Sequence, residues 1–304
     1  MKAARITEYG GPEVISLVDV PRPSPGPGQV LLEVAATSFN PADIADRAGT
    51  YRRVPLPFIV GFDVAGTVRE VGPGVTTLSP GDRLIARLDG GGASAEYAVA
   101  DEELSARAPA TVPLADAAAL PLAGLTAWQA IHDHARLAAS QRILINGAGG
   151  GVGGYAIQLA KRVGAHVIAT ASGRSADRVR AHGADEVVDY TTTPVAEAVS
   201  REVDVLLNLV PLPPEAGRSL AGLVRPGGMV VSITGKIDAP PGAEVTSVML
   251  IAQNEPKHLD ELVQLVDSGG LTLDVSERLP LSELADVHRR SERGDIRGKV
   301  ILVP

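Results

Sequence analysis

The 304-residue chain contains no cysteine. That absence excludes disulfides, thiolate nucleophiles, iron–sulfur clusters and the usual structural zinc sites. The six histidines offer no substitute. Only His132 and His134 lie close in sequence, and two residues apart they face different sides of a helix. Aromatic residues make up just 3% of the chain, which points to a roomy rather than a tight binding pocket. Long apolar runs are missing too: residues 114–131, the most apolar stretch, are broken by Asp116, Pro121, Gly124 and Gln129 and cannot span a bilayer. Met1-Lys2-Ala3-Ala4-Arg5 leads into no apolar signal-peptide core, so the cytoplasm is the expected compartment. Positive charge is in deficit, with 28 Lys and Arg against 36 Asp and Glu and a net charge of -8. General affinity for nucleic acid or an anionic membrane is therefore not expected, although a local basic pocket is compatible with it.

What is present is ordinary globular composition, 45% hydrophobic and 21% charged, in a chain long enough for two domains. Its centre is Gly147-Ala148-Gly149-Gly150-Gly151-Val152-Gly153. The apolar run Arg142-Ile143-Leu144-Ile145-Asn146 precedes it, and Val152, Ala156, Leu159, Ala160 and Val163 follow at helical spacing. Gly164 stops that helix, and residues 165–170 read as the next strand. A strand, a glycine turn, a helix and a strand within about thirty residues form a dinucleotide-binding unit. The glycines let the chain turn sharply and leave its amides bare, so that a pyrophosphate can sit against the helix N-terminus.

Upstream, residues 2–7, 14–20, 29–38, 64–71, 83–87 and 95–99 read as short strands separated by Pro- and Gly-rich turns, the pattern of a β-barrel-like domain. Residues 114–120 and 126–137 read as helices leading into the glycine turn. Beyond it, strands at 165–170, 186–189, 203–209 and 229–234 alternate with helices at 177–182, 195–201 and 215–223. Such alternation implies a parallel sheet covered on both faces. Pro226-Gly227-Gly228 reads as a turn. After Pro256 the alternation ends; helices at 257–268 and 281–293 and a strand at 299–303 suit a return to the first domain.

These residues resemble the medium-chain dehydrogenase/reductase superfamily, in its zinc-free quinone oxidoreductase branch. The marks are Met1-Lys2-Ala3, Asn40-Pro41-Ala42-Asp43, Gly61-Phe62-Asp63-Val64-Ala65-Gly66, Pro80-Gly81-Asp82-Arg83, Gly124-Leu125-Thr126-Ala127-Trp128, the glycine turn, Gly183-Ala184-Asp185 and Arg297-Gly298-Lys299. The resemblance implies an α/β protein with a GroES-like β-barrel domain over residues 1–120. A doubly wound Rossmann domain for NADP would follow over 121–256, with 257–304 completing the first domain. It also implies a homodimer. Short-chain dehydrogenases, by contrast, need a Tyr-x-x-x-Lys pair, and no tyrosine here has lysine four positions on.

The resemblance further implies an NADPH-dependent, metal-free reductase that passes hydride to quinones or α,β-unsaturated carbonyls. The alternative is an NADPH-binding sensor or structural protein of the same fold. Asn40 and Phe62 stand where zinc-dependent relatives carry cysteine and histidine, so no metal is expected. Asn40 is a turn residue before proline or a cleft residue that donates to substrate; Asp43 is a helix cap or a second cleft residue. Tyr51, in a loop, is exposed or donates a hydrogen bond to a carbonyl.

For the cofactor, Gly147, Gly150, Gly151, Val152 and Gly153 would hold the pyrophosphate, and Thr126 would lie near the nicotinamide. Asn208, Val210, Ser232 and Thr234 stand at strand ends, where ligands sit in such sheets. Lys299, in the terminal mark, is a further expected cofactor contact. The second strand of the unit is followed by Ser172-Gly173-Arg174, with no carboxylate until Asp177. An NAD site needs an acid there. Ser172 and Arg174, with Arg178 and Tyr190 nearby, suit a 2′-phosphate instead, unless both arginines are merely solvated.

Overall fold

The computed structural model describes residues 1–50 and 52–304, so that Tyr51 lies outside the described residues. The chain forms two units, Met1–Leu125 with Asn254–Pro304, and Thr126–Gln253. It opens with β1 (Lys2–Ile6), β2 (Ser16–Asp19), β3 (Gln29–Ser38), α1 (Pro41–Ala48), β4 (Phe58–Ile59), β5 (Asp63–Val71), β6 (Arg83–Arg87), β7 (Tyr97–Asp101) and β8 (Ser105–Arg107). After α2 (Leu114–Ala117), the chain enters the second unit within α3 (Pro121–Trp128). The second unit runs β9 (Arg142–Asn146), α4 (Gly151–Val163), β10 (His166–Ala171), α5 (Ala176–Ala181), β11 (Glu186–Asp189), α6 (Val195–Ala198), β12 (Val203–Asn208), α7 (Pro214–Ala221), β13 (Val224–Ser232) and β14 (Thr246–Met249). The chain then returns through α8 (Pro256–Asp267), β15 (Val275–Pro280), α9 (Leu284–Glu292) and β16 (Lys299–Val303).

In the first unit, alternation in β3 sends Val30, Leu32 and Val34 to one face, where they meet Val64, Val68 and Leu84. The main sheet runs β15-β16-β3-β5-β6-β8, with β7 also on β3, beside a small sheet β2-β1-β4. Two register shifts between β3 and β5 bend this sheet. The return segment completes a second core: Leu281, Leu284, Val287, Val300 and Leu302 pack with Ile6, Phe39 and Val60. Asp267 accepts from the Ala110 and Thr111 backbone at 2.8 and 3.0 Å, and Arg278 holds Asp116 through two bonds of 2.8 and 2.6 Å.

The second unit is a six-stranded parallel sheet, β11-β10-β9-β12-β13-β14. Ile143, Leu144 and Ile145 of β9 are all fully buried, as a strand covered on both faces requires. Numbered from β9, the strand order is 3-2-1-4-5-6, and its direction of winding reverses between β9 and β12.

Three expectations change. Pro226-Gly227-Gly228 is a bulge inside β13 rather than a turn before it, because the pairing jumps from Val203–Val224 to Val205–Met229. Gly228 is required there, since a Cβ would lie 2.7 Å from Asp204 O. The helix expected at 126–137 begins earlier, as α3, and relaxes into a π turn at Gln129–His134. At that turn the Gln129 amide pairs with the Gln253 backbone through two 2.8 Å bonds, joining the two ends of the unit. Finally β14 and β15 lacked a sequence signal, because both are short and largely half-exposed, without a clean alternation.

Candidate functional site

The glycine turn leaves β9 and enters α4. Gly147 has a φ of 87°, and a Cβ there would lie 2.5 Å from Val210 Cγ1. On Gly153 a Cβ would meet Ala148 O at 2.3 Å, so turn and helix approach one another only because this residue is glycine. Gly150 differs. Its backbone, φ -90° and ψ 176°, suits any residue, and a Cβ there meets nothing closer than Gly147 O at 3.8 Å. Gly173 and Gly235, just past β10 and β13, have no atom within 4 Å of such a Cβ either. The protein itself does not require these bare positions. They lie past the carboxyl ends of the strands, and the first turn of α4 adds N–H groups without intrahelical partners at the positive end of its dipole. Such an edge fits a dinucleotide, with Gly150, Gly151, Val152 and Gly153 against its pyrophosphate.

Ala171 of β10 pairs with Asp189 of β11, so Ser172 and Tyr190 follow at neighbouring strand ends. Ser172 is buried, and its carbonyl accepts from Ser175 and Ala176 at 2.9 and 3.0 Å, opening α5. Arg174 and Tyr190 are exposed. Asp189 turns its carboxylate to the Thr191 amide and hydroxyl at 3.0 and 2.6 Å. Thr126 is buried where α3 enters the unit. Asn208 and Ser232 are also buried, and the Asn208 amide is engaged with protein atoms rather than bared, donating to Val210 O, Ser232 Oγ and Thr234 Oγ1. Thr234 is exposed and Val210 half-buried. Sequence reasoning passed over Asn146 and Thr170, which join this group; a polar residue closing an apolar strand was the available signal.

In the first unit Asn40, Asp43 and Lys299 come together around Asp63. Pro41 starts α1, and Asp43 Oδ2 accepts the Asn40 N–H at 2.7 Å, closing its first turn. The Asn40 amide points inward instead. Its Nδ2 donates to Asp63 Oδ2 and Ser38 O at 2.9 and 3.2 Å, and its Oδ1 accepts from Lys299 Nζ at 2.6 Å. Both amide protons are thereby committed, which corrects the expectation of Asn40 as a donor to substrate. Lys299, expected at the cofactor, is a buried residue of the first unit that also donates to Phe39 O at 3.0 Å and approaches Asp63 Oδ2 at 3.4 Å.

Asp63, fully buried, accepts further from Ser38 Oγ at 2.7 Å and Leu122 N at 2.8 Å. It had been noted only as part of a family mark. Burial lowers the pKa of Lys299. Burial, aided by the Asp63 charge, raises the Asp43 carboxyl to about 8, and its Oδ1 has no partner.

Residues 26–110 match the family described as alcohol dehydrogenase GroES-like domain, and residues 182–302 match zinc-binding dehydrogenase. The chain is 36% identical to a chloroplastic quinone oxidoreductase of Triphysaria versicolor, over 100% of its own length and 98% of the relative's. The chain belongs to the quinone oxidoreductase branch of the medium-chain dehydrogenase/reductase superfamily. It is 34% identical to the chloroplastic NADPH-dependent alkenal/one oxidoreductase of Arabidopsis thaliana, over 100% of this chain and 80% of that one. The Escherichia coli quinone oxidoreductase solved with NADPH is 25% identical and aligns over both full chains with a TM-score of 0.92.

The fold of this quinone oxidoreductase relative is thus a GroES-like domain with a Rossmann sheet. The cytoplasmic expectation is corrected, since several relatives are named chloroplastic. The zinc in one matched description does not fit these residues. The Asn40 amide is fully engaged, Phe62 carries no donor atom, and among the described residues no three His, Asp or Glu side chains converge as a metal site.

Proposed function

We propose that this family member is an NADPH-dependent, metal-free reductase of quinones and α,β-unsaturated carbonyl compounds. The observation that carries it is Gly150: a bare position that neither its backbone nor its neighbours require, at the N-terminus of α4. When bound, NADPH supplies the hydride. The protein's part is to hold and orient. The first turn of α4 receives the pyrophosphate, while Ser172, Arg174 and Tyr190 take the 2′-phosphate. In the first unit Asn40 Oδ1 accepts from Lys299 Nζ at 2.6 Å and ties Lys299 to Asp63, a buried cluster that holds the fold around the Asn40 loop. Tyr51 is kept as a candidate donor.

The test is NADPH oxidation by purified protein against a panel of quinones, enones and enoyl thioesters. Turnover with quinones or enones supports the reading. A folded protein that binds NADPH yet turns over none of them would instead be a sensor or structural protein. We further propose a homodimer through the edge strand β14 and the segment just past it, where Met249 and Ile251 are 47% and 53% exposed. Ile251→Lys should shift the sedimentation coefficient to that of a monomer; a wild-type monomer removes the proposal.

A further inference from the structure

Four neighbouring strands of the second unit, β10, β9, β12 and β13, carry buried polar side chains at their carboxyl ends: Thr170, Asn146, Asn208 and Ser232. Their hydrogen bonds have a direction. The Gly147 N–H can only donate, and it donates to Thr170 Oγ1 at 2.9 Å. The Thr170 hydroxyl passes its own proton to Asn146 Oδ1 at 3.0 Å. That interaction orients the Asn146 amide, whose Nδ2 then donates to Asn208 Oδ1 at 2.8 Å. Asn208 must in turn present Nδ2 on its far side, to Val210 O, Ser232 Oγ and Thr234 Oγ1 at 2.8, 3.1 and 3.2 Å. Either amide could fit its space after a half-turn about its last bond. The fixed polarity of the Gly147 N–H at one end and of the Val210 carbonyl at the other selects the orientation of both.

We propose that Thr170, Asn146 and Asn208 form a directional relay that positions the glycine turn for NADPH; they are positioning residues acting through the Gly147 N–H, not contacts of the cofactor. The inference rests on the NADPH reading above. The same side of the sheet is tied to the turn by backbone bonds that keep the relay aligned: Ala148 N to Thr170 O at 3.2 Å, and Leu209 N to Asn146 O at 2.9 Å. Gly147, held by Thr170, is also the residue with the left-handed φ of 87° from which the turn departs. Removing the hydroxyl leaves that N–H without its acceptor and frees the turn to rotate its amides away from the pyrophosphate. All members are neutral, so the relay adds no charge beside an anionic ligand.

The polarity makes the test specific. Asn146→Asp keeps an acceptor for Thr170 but sets an oxygen against Asn208 Oδ1. A flip of Asn208 gives no relief, since its Oδ1 would then face Val210 O. Ser232→Ala removes only one of the acceptors of Asn208 Nδ2, leaves Val210 O in place and keeps everything upstream intact. We expect Thr170→Val and Asn146→Asp each to raise the NADPH dissociation constant tenfold or more, and Ser232→Ala to raise it less than threefold. Thr170→Ser, which keeps the hydroxyl, should restore wild-type affinity.

In the apoprotein, Thr170→Val should also speed exchange of the Gly147 amide proton measured by NMR, and kcat at saturating NADPH should stay within twofold of wild type. An affinity within twofold and an unchanged Gly147 exchange rate in Thr170→Val overturn the relay, as does a Thr170→Ser protein no better than Thr170→Val. Should the Thr170 variants not fold, the ranking of Asn146→Asp against Ser232→Ala decides, and an equal or reversed ranking overturns it. Wild-type protein that binds no NADPH overturns the cofactor reading and this role with it. Wild type that binds NADPH while its variants behave otherwise overturns the relay alone.

Discussion

In the first unit buried Lys299 meets the buried carboxylate of Asp63, with the protonated Asp43 carboxyl nearby, whereas the second unit lines four strand ends with hydroxyls and amides. The two arrangements solve different problems. Buried charge is costly to desolvate and must find its partners within the protein. Asp63 accordingly accepts from Ser38, Asn40 and Leu122 and lies close to Lys299, a set that leaves neither oxygen without a partner. Neutral groups cost less to bury, and they can aim backbone N–H groups at a ligand without competing for its charge. The first cluster should therefore govern stability, and the second should govern affinity.

Lys299→Met puts the largest expected effect on that contrast. Removing one partner of a buried pair costs about 3–5 kcal/mol, so the melting temperature should fall by roughly 10 °C. NADPH affinity, titrated by fluorescence, should barely move. An unchanged melting temperature with weakened NADPH binding would reverse the roles of the two clusters.

Gly150→Val is the converse. A Cβ here suits the backbone and meets no atom closer than 3.8 Å, so the apoprotein should melt within a few degrees of wild type, while NADPH binding weakens roughly 100-fold. Calorimetry on the apo and NADPH-loaded forms reads both quantities. Equal affinity in Gly150→Val would mean that the open space at this glycine is not where the ligand lies.

Arg174→Ala tests the edge of the second cluster where charge is expected to matter. Loss of one charge-assisted contact, worth ~1.5–3 kcal/mol, should cut the preference for NADPH over NADH by about tenfold or more in kcat/KM. A preference left intact would return Arg174 to a solvated surface residue.

The smallest effect concerns Asp43. Its folded pKa is raised to about 8, so between the unfolded carboxyl value near 4 and pH 8 the folded state holds a proton that the unfolded state has lost. Stability from this group is complete below about pH 4, declines as pH rises, and is gone above about pH 8. Asp43→Asn should match wild type near pH 4 and melt higher than wild type at pH 8, the gap widening as pH rises between them. Melting curves across that range check it; a gap that shrinks with rising pH would place the ionised form in the folded protein.

The second unit was the more legible of the two. Its strand, glycine turn and helix are consecutive, so composition and periodicity over about thirty residues identify them. Ser172, Arg174 and Tyr190 could be marked because they follow recognisable strands. The first unit offered less. Asn40 and Asp43 are close in sequence, but what the Asn40 side chain meets is 23 and 259 residues away. The inward turn of the Asn40 amide, which removed it as a donor, has no local cause. Lys299 looked like part of a family mark at the chain's end, and only pairing of β16 with β3 carries it to Asn40.

By itself the sequence determined which segments alternate as strands and helices, where the glycines free the backbone, and the absence of cysteine that removes thiolate chemistry. These are properties of short stretches, governed by local sterics and periodic burial. Tertiary structure alone decided which polar atoms face each other: that Asp63 gathers Ser38, Asn40, Lys299 and Leu122, and that Gly147, Thr170, Asn146 and Asn208 fall into one line. The reason is physical. A hydrogen bond needs donor and acceptor within about 3 Å, and for residues far apart in the chain that distance is set by sheet register and core packing, not by sequence spacing.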